Sequence, residues 1–363
     1  MKNTFGNNLS VTLFGESHGE AIGAVIDGIA PGIFVDDELI KSMLSRRRPS
    51  GNFSTSRVEA DEYKIISGVF EGKTTGTPLC IIIPNNDTKS ADYSDTRWLA
   101  RPSHADYAAN CKYHGFEDYR GGGHFSGRIT AALVAAGAIV ISALNEKGIY
   151  IGSHLKKCAS VEDADFTDFS ADIEKLNSAS FPVLNDAAGE KMKQAILEAK
   201  AEGNSVGGVI ETAVIGIDAG VGEPWFDTVE SVIAHGVFSV PGVKGVEFGA
   251  GFKIADMKGS ESNDSFVLEE DNIRTATNKS GGINGGITNG MPIVFRTAMR
   301  PTPTIALEQD TVDMLNVSES VLAAKGRHDP CIAHRAAVVI ECVAALAVAD
   351  LLTGRFGTDW LAE

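Results

Sequence analysis

The chain has 363 residues, 43% of them hydrophobic and 22% charged, the balance of a globular protein built as one large domain or two of about 150 residues each. Its formal charge of -16, from 32 Lys and Arg against 48 Asp and Glu, opposes a phosphate backbone and argues against a general nucleic-acid binder. The five cysteines are odd in number and form no CxxC pair, so neither a disulfide framework nor a cysteine zinc site is expected, and a reducing compartment fits best.

The N-terminus lacks an apolar signal region, so no signal peptide is expected. Leu9, Val11 and Leu13 alternate as in a strand. A tight turn, Gly15-Glu16-Ser17-His18-Gly19, leads to a second apolar run, Ala21 to Ile29, which predicts a hairpin with a polar tip. Asp36 can cap a helix carrying Leu39, Ile40, Met43 and Leu44, ended by Arg46-Arg47-Arg48-Pro49. Lys64 to Pro84 reads as β structure turning at Gly72, and Asn85 to Lys112 as polar loop. Gly121-Gly122-Gly123 precedes an apolar helix over Thr130 to Leu144. A surface helix runs from Gly189 to Glu202 and stops at Gly203, and Val206 to Ile217 is strand-like. Asn278 to Gly290 is rich in glycine. Ala336 to Leu352 is long and apolar but holds Glu341 and Asp350, so it predicts a buried helix and no membrane span. No Pro/Ser-rich linker divides the chain, which favours a single α+β domain over residues 1–363.

Four segments concentrate Arg, His and Gly. His18 sits in a glycine-flanked turn, where an exposed imidazole titrates near neutrality. Three consecutive arginines in an acidic protein are either an anion trap or a favourable end to a helix dipole. The third runs from Arg101-Pro102-Ser103-His104-Ala105-Asp106 to Arg120 through Arg128, which contains a glycine-rich turn opening a helix; the turn offers backbone N–H groups to an anion, with Ser126 as a helix cap. Gly281 to Gly290, with Arg327-His328-Asp329-Pro330, lets a flat or phosphorylated ligand approach the backbone; the ionic triplet can equally cap the following helix. Gly68 to Thr74 imitates a P-loop but is one residue short and precedes a β-like run, so triphosphate hydrolysis is not expected. No HxxxH or HExxH spacing supports a catalytic zinc. Residue chemistry alone thus predicts a site for anionic, phosphorylated ligands with two or three acid/base groups, and leaves the reaction open.

Taken in order, these segments resemble the chorismate synthase family along nearly the whole chain. The resemblance rests on the Gly-Glu-Ser-His-Gly turn, Arg46-Arg47-Arg48-Pro49, Gly72-x-Thr74-Thr75-Gly76-Thr77 and Arg101-Pro102-x-His104-Ala105-Asp106-Tyr107. It continues through Asp118-Tyr119-Arg120-Gly121-Gly122-Gly123, Val243-Lys244-Gly245-Val246-Glu247, Gly281-Gly282-x-x-Gly285-Gly286-Ile287 and Gly326-Arg327-His328-Asp329-Pro330-Cys331. It implies a β-α-β sandwich with helices between antiparallel sheets, assembled as a homotetramer, catalysing the last step of the shikimate route in the cytoplasm. The implied reaction is the anti-1,4-elimination of phosphate from 5-enolpyruvylshikimate 3-phosphate, requiring reduced FMN without net redox change, with NADPH as an indirect or external electron source.

The resemblance implies His18, His104 and Asp329 as catalytic residues, and Ser17, Arg47, Arg48 and Arg335 as substrate ligands. It implies His124, Phe125, Ser126, Pro241, Gly242, Gly285, Arg300, Pro301, Thr302, Pro303, Thr304 and Arg327 as FMN contacts, and no metal. Three positions depart from the usual pattern: Ser103 replaces a glycine, Arg300 a lysine, and Phe53 a basic residue in a segment tied to the nicotinamide cofactor. The rival readings are an FMN-dependent oxidoreductase and a non-catalytic FMN or phosphate-binding protein.

Overall fold

The computed structural model describes residues 2–54, 60–86, 97–323 and 329–363. Two five-stranded antiparallel sheets enclose a helical layer. The first sheet runs Thr4–Phe5, Ser10–Gly15, Ala21–Asp27, Leu79–Pro84, Lys64–Ser67 in spatial order. The second runs Val243–Phe248, Ile293–Met299, Gly208–Ile215, Tyr150–Cys158, Val161–Glu162. Alternation explains the half-buried strands: in Leu79–Pro84 and Ile293–Met299 every second side chain is buried and those between are partly exposed.

Between the sheets lie the helices Thr130–Glu146 and Ala333–Phe356, packed on each other and touching both sheets, with Asp37–Arg47 against both. Being covered on all sides, they carry no polar face, and only their apolar length resembles a membrane span. Most residues of both helices are buried inside the protein.

Buried polar groups tie the layers together. Arg46 donates two hydrogen bonds, of 2.8 and 2.7 Å, to the carboxylate of Glu341, joining the first helix to the last. Glu341 also accepts from the Ser153 backbone at 3.0 Å, reaching the second sheet. Asp350 accepts the backbone N–H groups of Asn7, Asn8 and Leu9, which would otherwise be unpaired beside the last helix.

The expected N-terminal hairpin, the helix capped by Asp36, the apolar core helices and the Gly189–Glu202 helix are present, the last over Asp186–Ala201. Two expectations are corrected. Asn85 to Lys112 is not all loop: the short helix Asp106–Tyr113 interrupts it, and it buries only Ala109, so it carries no apolar stripe to betray it. His18 at the tip of the N-terminal hairpin is not exposed: Ser17 is 0% and His18 7% accessible, covered by the Arg120–Phe125 turn, while the neighbouring Glu16 and Glu20 face solvent. The P-loop imitation holds the short strands Val69–Phe70 and Lys73–Thr74 and is followed by the expected β run, Leu79–Pro84, in place of a helix.

Candidate active site

At one edge of the helical layer two adjoining cavities open, of 330 and 640 Å³, sizes at the low and middle parts of the usual ligand-site range of about 300–1,000 Å³. They share His104, Phe125, Ser126, Pro241, Gly242 and Arg300. The smaller one is basic: Arg47, Arg48, Arg128 and Arg335 line it together with Asp329 and Thr302-Pro303-Thr304. The larger one is walled by core side chains, including Leu13, Leu133 and Leu346.

Local chain geometry explains these positions. Arg47 and Arg48 leave the end of the capped helix, where the chain turns extended at Arg48. Arg120 to Phe125 form a turn through three glycines at positive φ, and Ser126 then accepts from Arg128 N–H, capping the short turn that enters the central helix. Gly121 must be glycine: a Cβ there would lie 2.1 Å from the His18 ring, and its φ is +59°. Asp329 stands just before the last helix and is ion-paired with Arg335 in that helix's first turn. Arg335 Nε also donates to the Arg47 carbonyl at 2.8 Å, so the last helix and the arginine run are joined at the cavity wall.

His104 is oriented by a carboxylate. Arg101 grips Asp106 at both oxygens, 2.8 and 2.6 Å, and Asp106 lies 3.1 Å from His104 Nδ1. Burial alone would raise the Asp106 pKa, but hydrogen bonds from Arg101 and His104 outweigh it and hold the carboxyl well below its ordinary range. An ionised Asp106 can only accept, so Nδ1 carries the proton and Nε2 is left for the cavity. The Arg101 to His104 approach of 3.1 Å is then a contact between two donors satisfied by the same carboxylate.

The basic cavity contains buried donors lacking a protein acceptor. Among the described residues, Arg47 Nε, Arg48 Nε, Arg300 Nε and Thr302 Oγ1 are buried without a hydrogen bond, and all four residues line the smaller cavity. Such a cluster leaves desolvation uncompensated unless a ligand supplies acceptors. Burial lowers the Arg47 pKa, partly offset by Asp61 2.9 Å away, so the guanidinium is a strongly undersolvated cation.

The structure brings together most of the expected site. Arg47, Arg48, His104, Asp329, Arg335, Phe125, Ser126, Pro241, Gly242, Arg300, Thr302, Pro303 and Thr304 line the smaller cavity, and His124 the larger. His18 and Ser17 lie behind Gly121, with Ser17 Oγ 3.0 Å from His18 Nδ1, and line neither cavity. Pro301 lines neither. Arg327 and His328 are outside the described residues. Gly285 is elsewhere: with Gly286 it forms the two-residue turn between Ile283–Asn284 and Ile287–Thr288, both at positive φ as such a turn requires. Arg46, part of the presumed anion trap, is held by Glu341.

Two of the family departures meet. Ser103 has φ +58°, the left-handed region that explains a glycine at this position, and its carbonyl accepts from Arg300 Nη1. Phe53 packs edge-on to Phe181 and His334, each at 5.4 Å, outside both cavities. Sequence reasoning missed Asp61 and gave no role to Arg128 or to the Arg101–Asp106 pair; only Asp106, two residues after His104, stood at a spacing that suggests an orienting partner.

The sequence model described as chorismate synthase matches residues 9–353. A relative named chorismate synthase from Thermococcus kodakarensis is 45% identical over 351 residues, 96% of this chain and 97% of that one. Another of that name, from Chitinophaga pinensis, is 46% identical over 350 residues, 96% of each chain. A crystal structure of chorismate synthase superposes with a TM-score of 0.77 at 30% identity, covering 98% of this chain and 94% of that one. With the layered fold, the basic cavity and family matches spanning nearly the whole sequence, the chain belongs to the chorismate synthase family.

Proposed function

We propose that this site eliminates phosphate from 5-enolpyruvylshikimate 3-phosphate to give chorismate, with reduced FMN as cofactor. The carrying observation is the set of buried, acceptor-less donors on Arg47, Arg48, Arg300 and Thr302 around one cavity, which calls for an anionic ligand. The substrate brings a phosphate and carboxylates. FMN brings a phosphate and a ring edged with acceptors, so both fit the donor set. On this reading Arg300, Thr302, Ser126 and the Pro241-Gly242 turn hold FMN, and Arg47, Arg48 and Arg335 hold the substrate.

The reaction breaks the bond between C3 and the phosphate oxygen and one C–H bond at C6, and forms a second ring double bond. The arginines neutralise charge as phosphate leaves, each charge-assisted bond being worth about 1.5–3 kcal/mol. His104 Nε2, fixed by Asp106, holds or releases a proton at the cavity wall. The Asp329 carboxylate, steadied by Arg335, receives the proton from C6. When bound, reduced FMN supplies an electron-rich ring that assists phosphate departure and is unchanged at the end. Residues of the core helices and the Pro241-Gly242 turn form an apolar wall beside the reacting atoms. Cytoplasmic location, NADPH as the electron source and a homotetramer complete the proposal.

Phosphate release measured anaerobically with and without reduced FMN tests this reading. Release only with reduced FMN, over many turnovers, is expected. One oxidised FMN per product indicates an oxidoreductase, and binding without turnover a binding protein.

A further inference from the structure

We propose that Asp61 is a positioning residue that assembles the phosphate-binding arginines of this cavity, an inference that rests on the function proposed above. Asp61 is 4% accessible and lines neither cavity. Its Oδ2 accepts from Arg47 Nη2 at 2.9 Å, and its Oδ1 accepts from Arg128 Nη1. Arg48 Nε lies 3.6 Å from Oδ2, and Arg48 Nη2 donates to the neighbouring Ala60 carbonyl. Three guanidiniums from two distant parts of the chain therefore converge on one carboxylate, and all three line the basic cavity.

Left alone, these cations repel one another in a poorly solvated place. One carboxylate behind them holds the group together without cancelling its charge. It engages Nη groups of Arg47 and Arg128 and leaves Nε of Arg47 and Arg48 without a hydrogen-bond acceptor. The Arg128 guanidinium is further fixed by Asn85, at 3.0 Å from Nε, and by the Pro84 carbonyl, at 3.2 Å from Nη2. Asp61 itself has φ +52°, a backbone conformation that a side chain adopts at a cost when nothing holds it in place. Preorganised cations bind a dianionic phosphate without first being gathered.

The test compares wild type with Asp61→Asn, which keeps the shape and loses the charge. Turnover of 5-enolpyruvylshikimate 3-phosphate, its binding by calorimetry, and FMN binding are measured on the full chain. The substrate KM and dissociation constant are expected to rise about 10–100-fold, the worth of a charge-assisted bond, while kcat falls less and FMN affinity stays within about threefold. Asp61→Glu, which restores the charge one methylene away, is expected to recover part of the loss. Wild-type substrate affinity in Asp61→Asn overturns the inference, and so does an equal loss of FMN affinity, which marks a general structural role. If Asp61→Asn fails to fold by circular dichroism, Asp61→Glu decides: a KM raised about tenfold at unchanged FMN affinity supports positioning, and a wild-type KM overturns it. Failure of the wild type itself to turn the substrate over refutes the proposed function, a separate outcome.

Discussion

At the scale of single residues, chemistry depends on what each side chain is allowed to do by its neighbour. His104 is one of eight histidines, and what separates it is the Arg101–Asp106 pair that fixes its proton on Nδ1. His104→Ala is expected to lower turnover by about 10²–10⁴-fold with FMN still bound, read by steady-state kinetics beside a flavin titration. Near-wild-type turnover would remove His104 from the proton path. Asp329 is held by Arg335, so Asp329→Asn keeps the shape and an acceptor but loses the base. It is expected to fold, bind both ligands and turn over slowly. A melting temperature that collapses in this variant would instead make Asp329 an anchor of the last helix. Of the histidine expectations, the exposed imidazole was the misleading one: His18 lies in a glycine-flanked turn, but the second glycine-rich turn folds over it from more than a hundred residues away.

At the scale of elements, the arginine run divides its labour by helical geometry. Successive residues point about 100° apart, so Arg46 turns toward the last helix while Arg47 and Arg48 reach the cavity. Arg46 is a fastener, joining its helix to Glu341 within the core. Glu341→Ala leaves the largely buried Arg46 guanidinium without its carboxylate, with only a 3.5 Å bond to the Asn177 side chain, and is expected to destabilise the protein by about 3–5 kcal/mol, measured by urea unfolding. A loss below about 1 kcal/mol would mean that water replaces the carboxylate. The helix Asp37–Arg47 was legible because its cap, apolar spacing and basic end are all local. The helix Asp106–Tyr113 was not, because its one buried residue leaves no periodic signal.

At the scale of the molecule, the outer part of the second sheet carries a ladder of charges across four strands. His154 pairs in register with Glu211, Glu211 with Arg296, and Arg296 with Glu247. His154 is fully buried, with Asp163 2.8 Å from Nδ1 and Glu211 3.1 Å from Nε2, so both ring nitrogens face carboxylates. Burial alone would lower its pKa, but hydrogen bonds to Asp163 and Glu211 outweigh this and raise it above 6.5. A raised histidine pKa stabilises the fold fully below the unfolded value and loses that contribution as pH rises through the folded one. The Asp163 carboxyl is shifted the other way: burial raises it, but the bond from His154 and two backbone N–H groups prevail and lower it, so its contribution vanishes in acid. Melting temperatures of wild type and His154→Gln from pH 6 to 9 are expected to converge as pH rises. Parallel curves across that range would show that the ring does not give up a proton within it and would remove this linkage.

The sequence by itself determined the α+β class, the two apolar helices and the N-terminal hairpin; its resemblance to the family added the layered arrangement and the expected site residues. The class, the helices and the hairpin follow from signals carried by neighbouring residues: alternation, helical period, a cap, a glycine turn. The family pattern placed Asp329, Arg335 and Thr302 at the site, although they lie far along the chain from Arg47 and His104. Only the tertiary structure decided that Arg46 faces Glu341, that His18 is covered and that Gly285 belongs to a turn away from the cavities. It alone placed Asp61 behind Arg47 and Arg128, 14 and 67 residues apart in sequence. The physical reason is that a buried charge is tolerated only where partners converge in space, and that convergence leaves no periodic trace along the chain.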